Sequence, residues 1–263
     1  MALRAIILAA GRGTRLHPFT ENCPKCLTEL GGISLVQRQI ETLRASNITD
    51  ITIVTGYRDE MLAFPEIQTI KNEDWAATNM VESLFCAEQC FGDDLIISYG
   101  DIVYEQYILH TLLSSPHEIS IIVDKAWKNY WSMRFDDPLD DAESLRTNNN
   151  GHITDIGNPV TNIADIQAQY IGLMRFKGNG VNLLRQAKKQ LGETKRSWMN
   201  KRPLQQAYMT DLIMELILLG YDVNSVPIEG GWIEIDTVQD FDLATRMLAD
   251  GHVTLKNYKE SKS

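Results

Sequence analysis

The stretch that decides the fold is Ala5-Ile6-Ile7-Leu8-Ala9-Ala10-Gly11-Arg12-Gly13-Thr14-Arg15-Leu16. Its first half is apolar without alternation, the pattern of a strand covered on both faces. Its second half is a glycine-rich turn. Glycines there let backbone N–H groups approach phosphate oxygens without side-chain obstruction. Arg15 adds a planar, permanently charged fork suited to two phosphate oxygens. Pro24-Lys25 follows at a distance that lets the chain fold back over the same place.

Working outward, helix and strand patterns alternate. Ser34 precedes a helix-period set, Val36, Ile40 and Leu43. Ile51 to Thr55 is β-branched and ends at Gly56. Asn79 to Gln89 reads as a helix, with Asn79 and Glu82 spaced as a capping box. Leu95 to Tyr99 is a buried strand ending in Gly100-Asp101, and Ile119 to Val123 is another. This order predicts an α/β fold: a doubly wound, mostly parallel sheet of Rossmann-like form. Ligands in such sheets bind beyond the carboxyl ends of the strands. Gly11-Arg12-Gly13, Gly56-Tyr57-Arg58 and Gly100-Asp101 all fall at such ends.

Residues 125–165 are irregular, with aromatics, an acidic stretch from Asp136 to Glu143, and Asn148-Asn149-Asn150-Gly151. They read as a small inserted lid or hairpin. Gln167 to Phe176 reads as a long strand, Leu204 to Leu219 as a helix, and Trp232 to Asp236 as a strand. Thr237 caps a last helix carrying Phe241, Ala244 and Leu248. The organisation expected is one domain over residues 1–250 and a polar, loosely ordered tail over 251–263.

Bulk properties narrow the partners. With 263 residues the chain is near the upper limit for one core. A net charge of −10 and a pI near 5.0 oppose nucleic-acid binding. The apolar run at 5–10 is too short for a membrane span, and a cytoplasmic protein without membrane attachment is expected. Cys23 and Cys26 form a CxxC, but Cys86 and Cys90 have a different spacing. Zinc is disfavoured on that ground, and free thiols suit a reducing compartment.

Two rival loops are absent. A Walker A motif needs GxxxxGK[ST], and a dinucleotide fingerprint has glycine where Leu16 stands. The whole segment 5–32, AIILAAGRGTRLHPFTENCPKCLTELGG, closely resembles the signature of the nucleotidyltransferases that make nucleotide sugars and CDP-alcohols. The resemblance runs over nearly the whole chain. Asn79-Met80-Val81-Glu82-Ser83-Leu84, Tyr99-Gly100-Asp101 and Glu234 to Asp240 make it most similar to the bacterial CTP:phosphocholine cytidylyltransferases.

The resemblance implies a reaction and a set of roles. An acceptor phosphate attacks the α-phosphorus of a nucleoside triphosphate, CTP being favoured, and pyrophosphate leaves. Arg15 and the loop Leu8, Ala9, Ala10, Gly11, Gly13 and Thr14 hold the triphosphate, and Gly100 adjoins it. Lys25 bridges the two phosphates. Asp101 and Asp236 match the Mg²⁺ ligands, with Glu234 either beside the metal or a solvated charge. Asn79 and Ser83 face the base, though both also suit helix capping. Trp131 falls where the phosphocholine enzymes carry a tryptophan, and Tyr208 with Asp211 would complete a box for a cationic head group. Arg134, if it entered that box, would instead suit a carboxylate. Phosphocholine, phosphoethanolamine, aminoethylphosphonate and a phosphorylated amino-acid-like acceptor therefore all stay open. So does a sugar-1-phosphate enzyme using UTP, dTTP or GTP, which would share the loop, Lys25 and both aspartates. A non-catalytic nucleotide-binding subunit is disfavoured by the presence of all four of Arg15, Lys25, Asp101 and Asp236. Nothing in the sequence sets the oligomeric state; a homodimer is compatible with it.

Overall fold

A computed structural model describes residues 3–193 and 202–255. The chain opens with β1 (Leu3–Leu8), passes the glycine turn, makes a small hairpin of β2 (Glu29–Leu30) and β3 (Ile33–Ser34), and enters α1 (Leu35–Ala45). Ser34 caps α1 by accepting from the Gln37 N–H. Next come β4 (Asp50–Thr55), β5 (Gln68–Lys71), α2 (Met80–Cys86), β6 (Asp94–Tyr99), β7 (Ile102–Tyr104), α3 (Gln106–Ser114) and β8 (Ile119–Asp124). The second half runs α4 (Trp127–Arg134), β9 (Glu143–Thr147), β10 (Ile153–Pro159), β11 (Gln169–Lys177), α5 (Asn179–Glu193), α6 (Met209–Leu218), β12 (Asn224–Ile228), β13 (Trp232–Glu234) and α7 (Val238–Ala249).

Seven strands form the central sheet in the order β12-β8-β11-β6-β1-β4-β5. All neighbours are parallel except β11, which runs antiparallel to both β6 and β8. The expected α/β class and mostly parallel sheet are present. The two-residue period of β1 splits its side chains between two cores: Ala5 and Ile7 face one, Ile6 and Leu8 the other. Each buried isoleucine there contributes roughly 1.5–3 kcal/mol. That double burial explains the unbroken apolar run.

The structure corrects several local expectations. Residues 127–134 form α4 rather than part of an irregular lid. The hairpin itself is β9 with β10, turning over Asn148–Gly151. The helix expected from Leu204 starts only at Met209; Pro203 precedes a separate 3-10 turn over Leu204–Gln206. Glu82 does not close a capping box on Asn79; it pairs with Lys188 of α5 at 3.3 Å. The last helix buries Leu243, Ala244 and Met247, leaving Phe241 and Leu248 half-buried, because its inner face is one position out of phase with the expected stripe. Beyond α7, Val253 packs into the core, and the tail residues 256–263 lie outside the described residues.

Candidate active site

The site forms where β1 and β6 end side by side. Gly100 donates its N–H to the Leu8 carbonyl at 2.8 Å, so any Cβ at position 100 would meet that oxygen at 2.7 Å. This close approach puts Asp101 directly against the loop that follows β1. Gly13 has φ of +70°, and a Cβ there would come 2.8 Å from Lys25 Cβ. Glycine is thus required twice over at position 13, for its left-handed backbone and for the packing of Lys25. Thr20 locks the turn by donating to the Gly13 carbonyl at 2.6 Å. Pro24 then starts the 3-10 turn Lys25–Leu27 that returns Lys25 to the site.

Lys25 is the centre of a charge cluster. Its ammonium is 2.7 Å from Asp101 Oδ2 and also bonds Asp236, which in turn is bonded by Arg15. Burial alone would pull the Lys25 pKa down, but Asp101 and Asp236 outweigh it and the pKa is raised. Burial likewise works against ionised Asp236, and Lys25 and Arg15 overcome it, so its pKa is lowered. Lys25 and Asp236 are therefore charged across the neutral range. Burial pushes Glu234 the other way, up to about 7, against the attraction of Arg134.

A cavity of about 320 Å³ opens in front of this cluster. One wall is the Leu8–Gly11 backbone with Gly13 and Thr14; the floor holds Arg15, Lys25, Gly100, Asp101 and Asp236. Asn79 and Ser83 line it as well. The residues expected around a nucleoside triphosphate are thus gathered in one place. Sequence reading missed Trp75, Thr78, Met80 and Cys26, which also line it. Gly56, one of the three strand ends singled out, signals the first: a Cβ at Gly56 would lie 2.6 Å from Trp75 Cβ.

The fit to Mg²⁺ can be tested on one atom. Asp101 Oδ1 is buried and has no hydrogen-bond partner among the described residues, an arrangement that suits a cation. No group of three or more His, Cys, Asp or Glu side chains converges as a metal site among the described residues. A cation here would have two carboxylates and would draw its remaining oxygens from phosphates and water, as Mg²⁺ accepts.

The expected acceptor residues do not gather in the same way. Trp131 is buried in a nest with Trp127, Tyr130 and Trp232. The Arg134 guanidinium already lies 5.1 Å from the Trp131 ring centroid. Arg134 is itself sealed, its side chain 1% exposed, bonding Asp240 at 2.8 Å and Glu234 at 2.6 Å. It ties α4 to the start of α7 rather than entering a pocket. The helix period explains this: Trp127, Tyr130 and Arg134 share the inward face of α4. Asp211 is buried too. It accepts from the Tyr208 N–H at 2.8 Å, closing the α6 capping box, and pairs with Arg202 at 2.8 Å. Tyr208 is partly exposed, with the Arg202 guanidinium 4.1 Å from its ring.

Two carboxylates that the sequence reading did not single out, Glu143 and Asp141, act electrostatically on this region. Glu143 is pushed up to about 7, by burial first and then by Asp141 and Asp211. Asp141 is also raised, by burial first, and it feels Arg134, Asp236 and Arg15. A line of carboxylates thus leads from the Lys25 cluster to Asp211. The cysteines take no part in it as a metal or disulfide group: all four are free, and burial pushes Cys26 up to about 12.

Comparison with known proteins identifies this arrangement. Residues 5–155 match the MobA-like NTP transferase domain. The CTP:phosphoglutamine cytidylyltransferase of Campylobacter jejuni is 35% identical over 252 residues, covering 92% of this chain and 98% of that protein. Among solved structures, the CTP:phosphocholine cytidylyltransferase of Streptococcus pneumoniae superposes with a TM-score of 0.68 at 21% identity, over 94% of this chain and 100% of that one. The inositol-1-phosphate CTP transferase of T. maritima gives the same TM-score of 0.68 and 21% identity, over 96% and 98%. No helix among the described residues is long and apolar enough to cross a membrane. The chain is a nucleotidyltransferase and belongs to the MobA-like NTP transferase family.

Proposed function

We propose that this enzyme is a Mg²⁺-dependent cytidylyltransferase that joins CTP to a small phosphorylated acceptor of amino-acid type, phosphoglutamine or a close analogue, with release of pyrophosphate. The observation that carries the chemistry is the Lys25 ammonium lodged between Asp101 and Asp236 at the floor of the cavity. Support for CTP and for the acceptor class comes from the Campylobacter relative, which aligns over nearly its whole length.

An acceptor phosphate oxygen attacks the α-phosphorus, and the bond from the α-phosphorus to the bridging oxygen breaks as pyrophosphate leaves. The nucleophile is already anionic near neutral pH, so no general base is needed. Catalysis rests on placement and on charge neutralisation. The loop amides at Gly11 to Thr14 receive the β- and γ-phosphates. Arg15, its side chain 65% exposed, is free to swing from Asp236 onto them. Lys25 stays charged and holds the α-phosphate and the acceptor phosphate against each other. Held by Asp101 and Asp236, Mg²⁺ would supply Lewis-acid polarisation and a template for the phosphate oxygens.

The acceptor would extend past Asp236 toward Asp141, Glu143 and Asp211. Carboxylates there favour a head group bearing an ammonium, and Arg202 supplies a counter-charge for a carboxylate. A quaternary ammonium is disfavoured, since Arg134 already occupies the face of Trp131. Pyrophosphate release, measured with each of the four ribonucleoside triphosphates against phosphoglutamine, phosphocholine, phosphoethanolamine and sugar-1-phosphates, with and without EDTA, tests this. Turnover with CTP and phosphoglutamine, abolished by EDTA, is expected. A preference for phosphocholine or for a sugar-1-phosphate would overturn the acceptor.

A further inference from the structure

Asn72 is nearly sealed and has no place in the phosphate chemistry, yet it touches two residues of the cavity wall. It follows β5, where its N–H donates to the Thr55 carbonyl at 2.8 Å. Its Oδ1 accepts from the Asp74 N–H at 3.0 Å. A backbone N–H can only donate, so this contact fixes the amide orientation and leaves Nδ2 facing the cavity wall. That nitrogen donates to Thr78 Oγ1 at 2.9 Å and to Ser83 Oγ at 3.0 Å.

The Thr78 hydroxyl donates to the Asp74 carbonyl at 2.9 Å, so its proton is used. Ser83 receives the Asn72 proton, and its own hydroxyl proton meets no acceptor among the described residues. Asn79 is fixed by the same logic. Its Oδ1 accepts from the Met80 N–H at 2.8 Å, so its Nδ2 remains a donor. Ser83 and Asn79 both line the cavity, as do Leu8 to Gly11.

We infer that Asn72 is a positioning residue for base selection: it sets the polarity of Ser83, so that the wall offers two donors, from Ser83 and Asn79, to the adjacent O2 and N3 acceptors of cytosine. Uracil presents a donor at N3. To accept that donor, Ser83 must turn its own proton away in a nearly dry site, where an unmet hydroxyl costs about 1–3 kcal/mol. That corresponds to roughly tenfold to a hundredfold discrimination against UTP. The inference rests on the proposed use of a pyrimidine triphosphate.

Asn72→Asp tests it directly. A carboxylate only accepts, so Ser83 would have to donate to position 72 and present a lone pair to the base. The kcat/KM ratio of CTP to UTP should fall about tenfold or more. Ser83→Ala removes the reader and should lower the ratio to a similar floor. Adding Asn72→Asp to Ser83→Ala should change it no further, as a double-mutant cycle reports. Circular dichroism melts establish that each variant is folded; if Asn72→Asp is not, Ser83→Ala alone decides. A ratio unchanged within about twofold in Ser83→Ala, or rates with both nucleotides falling in proportion in a folded Asn72→Asp, would overturn the role of Asn72. A wild-type enzyme that uses only purine triphosphates would overturn the pyrimidine reading itself.

Discussion

The proposed donor side and the proposed acceptor side of this site are built by opposite means. On the donor side, short loops that directly follow strands do the work, and backbone does much of it: Gly11 to Thr14, Gly100-Asp101, and Lys25 returned by a 3-10 turn. On the acceptor side, side chains from α4, β9, α6 and the turn before α7 converge, and many are already engaged with one another. Arg134 holds Asp240, and Asp240 Oδ2 accepts from the N–H groups of Asp236 at 3.1 Å and Thr237 at 2.9 Å. An aromatic and an arginine in the expected place thus serve as scaffold for the turn that carries Asp236 rather than as a pocket.

The largest effect that sharpens this contrast is expected at Lys25. Lys25→Ala should lower kcat by at least about a thousandfold, roughly 4 kcal/mol of transition-state stabilisation, in line with the loss of a preorganised charge. Steady-state pyrophosphate release checks this, and a folded variant with near-normal turnover would remove Lys25 from the mechanism.

Arg134 should behave as scaffold. Arg134→Ala leaves Asp240 buried and Glu234 half-buried without their partner, and breaking such a pair costs about 3–5 kcal/mol. Chemical denaturation should show that loss, with acceptor KM little changed when turnover is measured well below the new melting temperature. A variant of normal stability but greatly raised acceptor KM would break the contrast and return Arg134 to the pocket.

Glu143 carries the smallest and most diagnostic effect. Its pKa in the folded chain, about 7, exceeds the ordinary carboxylate value, so folding favours its protonated form. Stability from this group is then greatest at acid pH and declines as pH rises from about 4.5 through about 7. Glu143→Gln should be more stable than wild type at pH 8 and no more stable near pH 4.5, in melts across that range. If Glu143 receives the acceptor ammonium, the same variant should raise acceptor KM severalfold while leaving CTP KM unchanged.

How far the site was legible follows from how local each part is. Gly13 could be read because one short segment holds the turn, the strand before it and the arginine beyond it. Asp101 was marked by the apolar strand it ends, and Asp236 by the resemblance carried by Glu234 to Asp240, while the Thr237 cap beside it offered a competing role. Thr78 and Asn72 carry no such mark: they follow β5, and the pairing of β4 with β5 brings Thr78 to the cavity and Asn72 behind it. Glu143 looked like one charge in an acidic stretch, since Asp211 and Arg202, two of the charges that act on it, lie far away in the chain.

The double-faced strand, the glycine turn and the kind of chemistry were all legible before folding, because a covered parallel strand and a glycine loop are encoded within a dozen adjacent residues. Only the tertiary structure decided that β11 runs antiparallel, that α4 turns Trp131 and Arg134 inward, and that Asn72 orients the hydroxyl of Ser83. Those outcomes depend on which surfaces meet across the sheet, and contacts between residues far apart in the chain leave no period or spacing in it.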